Sequence, residues 1–316
     1  MKPYLFLILT VLLASLTASA GRPNDTTAII TFAIIGDYGS NDTNELHVAT
    51  MVDNWNPDFI VTVGDNSYDD DKGDNLDVNV GKYYSKYIYN PKNPKVKVDS
   101  TGKAFAQRKN LFFPCMGNHD AKNPESYTNY LSYFDVPKNY SFKQGPCSFY
   151  LFYSGPHGHG NGNGEFDDET KAFIHSSLVN KRPDNDFKLV FFHHPPYSSN
   201  MMGNPKINAA FDFDTLHVDA VICGHEHQYE RIEHVNASNP PIYIVNGAGG
   251  ADLTDDKYIN KKALPADLIS RLLDNHHFGA IKATLMYTAR TKTLYFEYYT
   301  VDSQGYHLED KFCILK

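Results

Sequence analysis

The feature that most constrains this chain is a series of short apolar runs, each stopping abruptly at a glycine or a polar cluster. The runs cover residues 28–35, 58–63, 111–116, 188–192 and 220–223. Their length and their Val, Ile and Phe content suit strands buried on both faces. Between them, residues 44–55, 77–89, 124–134, 167–179 and 206–217 carry helical periodicity or helix-capping starts. This alternation of the two element types predicts an α/β chain. The final third differs: residues 241–245, 280–289 and 293–301 are strand-like, the last two joined by the turn Arg290-Thr-Lys-Thr, so a second, partly antiparallel sheet is expected there. Residues 69–104 and 155–164 are polar or glycine-rich and read as surface loops. No internal repeat or linker divides the chain.

The beginning of the chain has the composition of an export signal. Lys2 precedes an apolar run from Tyr4 to Leu16 and the small residues Thr17-Ala-Ser-Ala20, the pattern of a cleavable secretory leader. Cleavage after Ala20 leaves residues 21–316 as one domain. The run falls short of the ~20 residues of a membrane-spanning helix, and Lys311-Phe-Cys-Ile-Leu-Lys316 has neither a lipid-anchor tail nor a retention signal. A secreted or lysosomal/vacuolar protein without a membrane anchor is expected. Four glycosylation sequons, at Asn24, Asn41, Asn139 and Asn236, agree with that route. Cys115, Cys147, Cys223 and Cys313 are too scattered for a zinc ribbon or a redox pair; they permit three disulfide pairings or simple burial as apolar thiols. With 37 acidic against 29 basic residues, the chain lacks the broad positive surface of a general nucleic-acid binder.

The polar clusters that end the strands are rich in metal-ligand side chains: Gly36-Asp37, Gly64-Asp65-Asn-Ser-Tyr68, Gly117-Asn118-His119-Asp120, His193-His194 and Gly224-His225-Glu-His227. In an open α/β sheet the carboxyl ends of the strands share one edge, where ligands collect, so these five distant segments should converge. A glycine before Asp37, Asp65, Asn118 and His225 lets the backbone turn sharply into the site. The mixture of carboxylate, amide, phenol and imidazole suits two Lewis-acidic ions of differing hardness. Asp65 can bridge two ions about 3.5–4 Å apart, with Asp37, Tyr68 and His227 completing one sphere and Asn118, His193 and His225 the other. Such a pair lowers the pKa of bound water and supplies hydroxide at acidic or neutral pH. His119 is then left to hydrogen-bond a phosphate or to protonate a leaving oxygen. Taken singly, each motif has an ordinary meaning: Asp37 and Asp65 as turn or cap residues, Tyr68 as a packing tyrosine, His193 and His194 as strand-end histidines, Asn118 and Asp120 as turn formers. All of those readings would have to hold at once, in order, each at a strand end.

The ordered set GD, GDxxY, GNHD, VxxH and GHxH resembles the signature of the metallophosphoesterase (calcineurin-like) superfamily, and the tyrosine of the second motif resembles that of the purple acid phosphatases, in their compact, tartrate-resistant form. The similarity runs from about Ile29 to near the end of the chain and takes in the turn Asn246-Gly-Ala-Gly-Gly250. It implies an α/β/β/α four-layer sandwich, two mixed sheets flanked by helices. It also implies a dinuclear centre in which Fe(III) takes Asp37, Asp65, Tyr68 and His227, while Fe(II), Zn(II) or Mn(II) takes Asp65, Asn118, His193 and His225. The implied activity is hydrolysis of phosphomonoesters, on small molecules or phosphoproteins, with His119 as the catalytic residue outside the metal cage. Two other functions fit the same scaffold: a manganese- or zinc-dependent phosphodiesterase or nucleotide diphosphatase, and a non-catalytic phosphate binder. One departure from the compact relatives stands out, since Met201 or Met202 occupies the stretch where they carry a further histidine. His194 does not replace it, because strand alternation turns it to the opposite face from His193.

Overall fold

The computed structural model describes residues 26–68, 75–90, 92, 109–155, 164–179, 185–200, 207, 210–236, 240–260 and 263–316. The leader, the Asn24 sequon, most of the loop 69–104, nearly all of the glycine-rich stretch 155–164, and Met201 and Met202 lie outside these residues. Two mixed sheets form the centre. The first runs β13 (Gly305–Leu315), β12 (Lys292–Asp302), β11 (Phe278–Tyr287), β1 (Ala28–Ile35), β2 (Phe59–Thr62), β3 (Phe112–Phe113). The second runs β10 (Leu268–Asp274), β8 (Tyr229–His234), β9 (Ile242–Asn246), β7 (Ala220–Cys223), β6 (Phe187–Phe191), β5 (Cys147–Leu151), β4 (Tyr140–Gln144).

Period-two alternation assigns the strand side chains to three apolar layers. Phe32 and Ile34 of β1, Phe187, Leu189 and Phe191 of β6, and Ala220 and Ile222 of β7 fill the space between the sheets. The intervening Ala33 and Ile35 face α1 (Thr43–Trp55) and its neighbours. Val190 and Val221 face outward from the second sheet, in a layer that includes Phe166, Phe213 and Ile174. Both faces of each sheet are therefore covered, which is why the strands read as continuous apolar runs. The result is the expected four-layer α/β sandwich.

α1, α3 and α4 each start where a side chain can accept the first free N–H groups. Asp42 caps α1 through Asn44 N and Glu45 N, and Asn56 ends it in a left-handed conformation. The one-turn α2 (Lys82–Tyr84) sits inside a helical stretch over Asp77–Tyr87. Asn123 caps α3 (Pro124–Phe134), where Pro124 costs no hydrogen bond at the first turn. Asp167 caps α4 (Asp168–Ile174), which continues as a π-helical turn to Val179.

The structure departs from the sequence reading in several places. The run 111–116 yields only Phe112–Phe113, because Pro114 brings no N–H to a ladder; its carbonyl is taken instead by the Tyr130 and Tyr140 hydroxyls, each at 2.9 Å. Within the helix expected over 206–217, the described residues Ile207 and Ala210 are helical, and a 3₁₀ turn at Phe213–Leu216 capped by Asp212 follows. The late strands do not build a sheet of their own. β11 pairs antiparallel with β1 and extends the first sheet, whereas β9 lies between β7 and β8 in the second. All four cysteines are free, and Cys115, Cys147 and Cys223 are buried. No helix among the described residues is long and apolar enough to cross a membrane.

Glu45, in the first turn of α1, is an acidic residue that is fully buried. One carboxyl oxygen accepts from Asn41 N at 2.6 Å, while the other has no partner among the described residues. Burial pushes its pKa up to about 9. Between the ordinary carboxylate range and about pH 9 the folded chain holds a proton that the unfolded chain has released, so this residue's stabilising share is complete at acidic pH and is lost as pH rises through that window. Glu45→Gln should flatten the fall in stability between pH 5 and 9, with the variant more stable than the parent at pH 9, as read from denaturant midpoints across pH.

Candidate metal centre

The five motif segments lie at the carboxyl ends of β1, β2 and β3 in the first sheet and of β6 and β7 in the second. They reach the site by sharp backbone turns. Asp37, Asp65 and His225 have φ of 53°, 49° and 71°, a left-handed conformation that costs a residue with a Cβ about 1–2 kcal/mol. Such strain is retained where a side chain must be re-aimed as its strand ends. Close packing supplies the other constraint. A Cβ at Gly117 would stand 2.1 Å from Asp65 Oδ1, and one at Gly224 would stand 2.3 Å from Asp37 Oδ2. Glycine is required at both because a carboxylate occupies the space.

The side chains form two groups. In one, the Tyr68 hydroxyl lies 3.2 Å from Asp37 Oδ1 and 2.9 Å from His227 Nε2, with His227 Nε2 at 3.5 Å from Asp37 Oδ1. In the other, Asn118 Oδ1 lies 2.9 Å from His193 Nε2 and 3.0 Å from His225 Nδ1. Asp65 Oδ2 is 3.3 Å from His193 Nε2, and ligand atoms of Asp37, Asp65 and His193 all fall within 4.8 Å of one another. All seven residues singled out in the sequence as ligands thus meet in one place. Asp37, Asp65 and His193 are buried, whereas Tyr68, Asn118, His119, His225 and His227 are partly exposed and mark the open side.

The tautomers make this a cation site. His193 Nδ1 donates to Val63 O at 2.9 Å and His227 Nδ1 to Asp252 O at 2.6 Å, so in each neutral ring the Nε2 lone pair turns inward. His193 Nε2 then faces only acceptors, Asn118 Oδ1 and Asp65 Oδ2. A proton can meet part of that need: burial alone would lower His193, but the Asp65 and Asp37 charges push it up to about 9. Burial alone would raise Asp65, yet His193 holds it well below the usual carboxylate range, while burial pushes Asp37 well above it. Burial, then the His193 charge, drives His225 down to about 3, which leaves that ring a neutral donor. Two metal ions would satisfy every one of these inward-facing oxygen and nitrogen atoms.

Several residues that position the ligands were not picked out in the sequence. Asp120 accepts from Asn66 N at 3.0 Å, Asn66 Nδ2 at 2.8 Å and Gly117 N at 2.8 Å, tying the loop of Asp65 to that of Asn118. Asn66 Oδ1 takes the Tyr38 and Thr62 hydroxyls, both at 2.8 Å. In sequence Asp120 read as an ordinary turn former and Asn66 was given no role; their only signal was adjacency to the ligand motifs. His194 is also differently placed from the expectation. Its ring lies 4.4 Å from that of His225 and its Nδ1 2.9 Å from Ser154 Oγ, because β6 has ended at Phe191 and strand alternation no longer applies. His119 stands with its ring 4.6 Å from the Tyr68 ring, and its N–H donates to Asp65 Oδ1 at 2.9 Å.

Comparison with known proteins gives the family and supports the fold. The family model for calcineurin-like phosphoesterases matches residues 30–229. The chain belongs to this family. Two uncharacterized proteins from Mycobacterium tuberculosis, of strains CDC 1551 / Oshkosh and ATCC 25618 / H37Rv, are each 28% identical over 189 residues, 52% of this chain and 32% of theirs. The match therefore spans about a third of the length of those relatives. GAP50, the anchor in the inner membrane complex of Plasmodium, superposes with a TM-score of 0.62 at 17% identity, over 90% of this chain and 88% of that one. A dimetal phosphatase from Danio rerio gives 0.52 at 14% identity, over 90% and 98%. At these identities the solved structures speak for the fold alone. For this calcineurin-like phosphoesterase, Asn118→Ala should remove the amide shared by His193 and His225 and reduce bound metal from two ions per chain to one. Elemental analysis checks this, with an unchanged circular-dichroism spectrum as the control for folding.

Proposed function

We propose that this chain is an acid phosphatase of the purple type, hydrolysing phosphomonoesters at a mixed centre of Fe(III) with Fe(II), Zn(II) or Mn(II). The observation that carries the reading is Tyr68, whose hydroxyl sits between Asp37 and His227. A phenolate is a hard, anionic oxygen donor. Beside Asp37, Asp65 and one imidazole it favours a ferric ion, while the Asn118, His193 and His225 set favours a divalent one. The ions would supply Lewis acidity and an activated water. The chain's own part is positional. Asp65 stands next to both groups, His193 and His227 are held with one nitrogen inward by Val63 O and Asp252 O, and Asp37 is clamped by His225 N at 3.0 and 3.1 Å. His119, on the open side against Tyr68, would donate a proton to a phosphate oxygen or to the leaving group.

An exported, glycosylated protein is part of this proposal. Among the described sequons, Asn41 and Asn236 are exposed. Asn139 is buried, its amide nitrogen 3.0 Å from Thr170 Oγ1 and its carbonyl accepting from Tyr153 N at 2.8 Å. Export would accordingly place glycans at Asn41 and Asn236 and leave Asn139 as a structural residue.

The test combines colour, metal content and rate. The purified protein should contain iron, absorb visibly through a phenolate-to-iron transition that Tyr68→Phe abolishes, and hydrolyse a phosphomonoester at acidic pH. His119→Ala should lower kcat by about 10²–10⁴-fold with two ions still bound. A colourless manganese or zinc protein that cleaves diesters faster than monoesters would establish the diesterase instead, and phosphate binding without any turnover would establish a binder.

A further inference from the structure

Behind the His225 to His227 segment lies a second set of oxygen atoms that the dinuclear centre does not use. Glu226, Gln228 and Glu230 alternate along the chain as it enters β8, so they share the face opposite His225 and His227. All three are at least 98% buried. The segment Ser198-Ser-Asn200, also buried, closes over that face. Ser199 N and Oγ donate to Glu230 at 2.8 and 2.5 Å, Gln228 Nε2 reaches Glu230 Oε2 and Ser198 Oγ at 3.3 Å each, and Asn200 N donates to Ser198 Oγ at 3.0 Å. Glu226 Oε1, Gln228 Oε1 and Asn200 Oδ1 are buried acceptors with no donor among the described residues. Glu230 is the charged group that acts most strongly on Glu226. Arg231 is turned to Asp310 and Glu233, and among the described residues no lysine or arginine pairs with Glu226 or Glu230; the positive group that acts on Glu226 is the His193 ring of the neighbouring centre.

Two buried carboxylates beside unpaired amide oxygens, with neither a lysine nor an arginine to offset their desolvation, form a donor set that a cation would complete. We propose that this enclosure binds a calcium ion, separate from the dinuclear centre, with Glu226, Glu230, Gln228 and Asn200 as its side-chain ligands. An all-oxygen donor set of flexible geometry, with two formal negative charges and no nitrogen or sulfur, suits a hard divalent ion of that size. The ion would pin the Ser198 to Asn200 segment to the histidine segment. That segment in turn meets the 251–260 loop through the Asn200 to Ile259 bridge and the bond from Asn260 N to Ser199 O at 2.6 Å. Calcium would therefore brace the wall of the neighbouring site without entering it.

The test uses full-length protein carrying Asp65→Asn, which disables the dinuclear centre, so its outcome is independent of any phosphatase activity. Calorimetry with calcium chloride should show one equivalent bound, and the thermal midpoint should rise by about 5 °C at a hundredfold excess over Kd. Adding Glu226→Gln should weaken binding at least tenfold, with no loss of thermal midpoint in EDTA. Asn200→Asp, which adds charge at one ligand position, should tighten binding and keeps the test decisive if the Glu226 variant folds poorly. Absence of both heat and thermal shift, or calcium affinity unchanged by either substitution, would overturn the proposal.

Discussion

Two buried carboxylates, Asp37 and Asp65, held side by side at the ends of neighbouring parallel strands, set the terms for everything around them. Their charges repel in a medium that screens poorly, so the fold must hold them there by other bonds. It does so with backbone N–H groups from the partner loops. Asp37 accepts twice from His225 N, and Asp65 accepts from His119 N. The first of these bonds crosses from one sheet to the other. The same two carboxylates thus act as ligands and as clasps, and the loop that carries the imidazoles is fixed by the acid those imidazoles stand beside. The left-handed conformations at Asp37, Asp65 and His225 are the local cost of this arrangement. They persist because hydrogen bonds hold each strained residue, through the side chain at Asp65, the backbone N–H at His225 and both at Asp37.

The ligands come from both sheets, and this makes the apolar layer between the sheets part of the site. Phe32 and Phe59 stack at 4.9 Å, Phe142 and Phe149 at 4.6 Å, and Phe149 meets Phe32 and Phe59 edge-on. Close-packed aromatic rings resist sliding, since a gap of an ångström forfeits much of their contact energy. The separation between the Asp37, Asp65 and Asn118 loops on one side and the His193 and His225 loops on the other is set by that packing. Asn246 adds a polar tie, its amide donating to Ile34 O at 3.0 Å across the same seam. Had all ligands come from one sheet, inter-sheet packing would matter for stability alone.

Much of this was legible in the sequence because two simple periodicities agree with it. β1, β2, β6 and β7 are buried on both faces and so appear as unbroken apolar runs that end at the site. α1 and α3 announce themselves through Asp42, Asn123 and Pro124. The ligand set was readable for the same reason, since each ligand follows a strand end. Five strands were missed: β5 is short and largely buried, β8 mixes Glu230 and Arg231 into its run, and the other three are buried on one side. β4 and β13 alternate partly buried with exposed residues, and β10 carries Arg271 and Asp274, so their apolar content is diluted below what a run of residues reveals. Sheet membership was misjudged because nothing in a strand's composition states its neighbour. The antiparallel register of β11 against β1 joins Ala28 to Tyr287, residues that no local pattern connects.

The residues hardest to foresee are those whose role depends on where alternation stops. His193 and His194 are adjacent, and in a strand they would face opposite layers. Beyond Phe191 the chain leaves the ladder, Ser154 Oγ accepts from both His193 N and His194 N, and the two rings come to 5.0 Å from each other. Ser154 itself follows β5, the strand parallel to β6, so a small hydroxyl on one strand end decides the direction of two imidazoles on the next. The same reasoning explains Glu226: between two inward-facing histidines, the only direction left to it is the protein interior. A segment that offers nitrogen ligands on one face is thereby obliged to bury whatever stands between them. In this chain that residue is a carboxylate, and the rear face must supply its own partner.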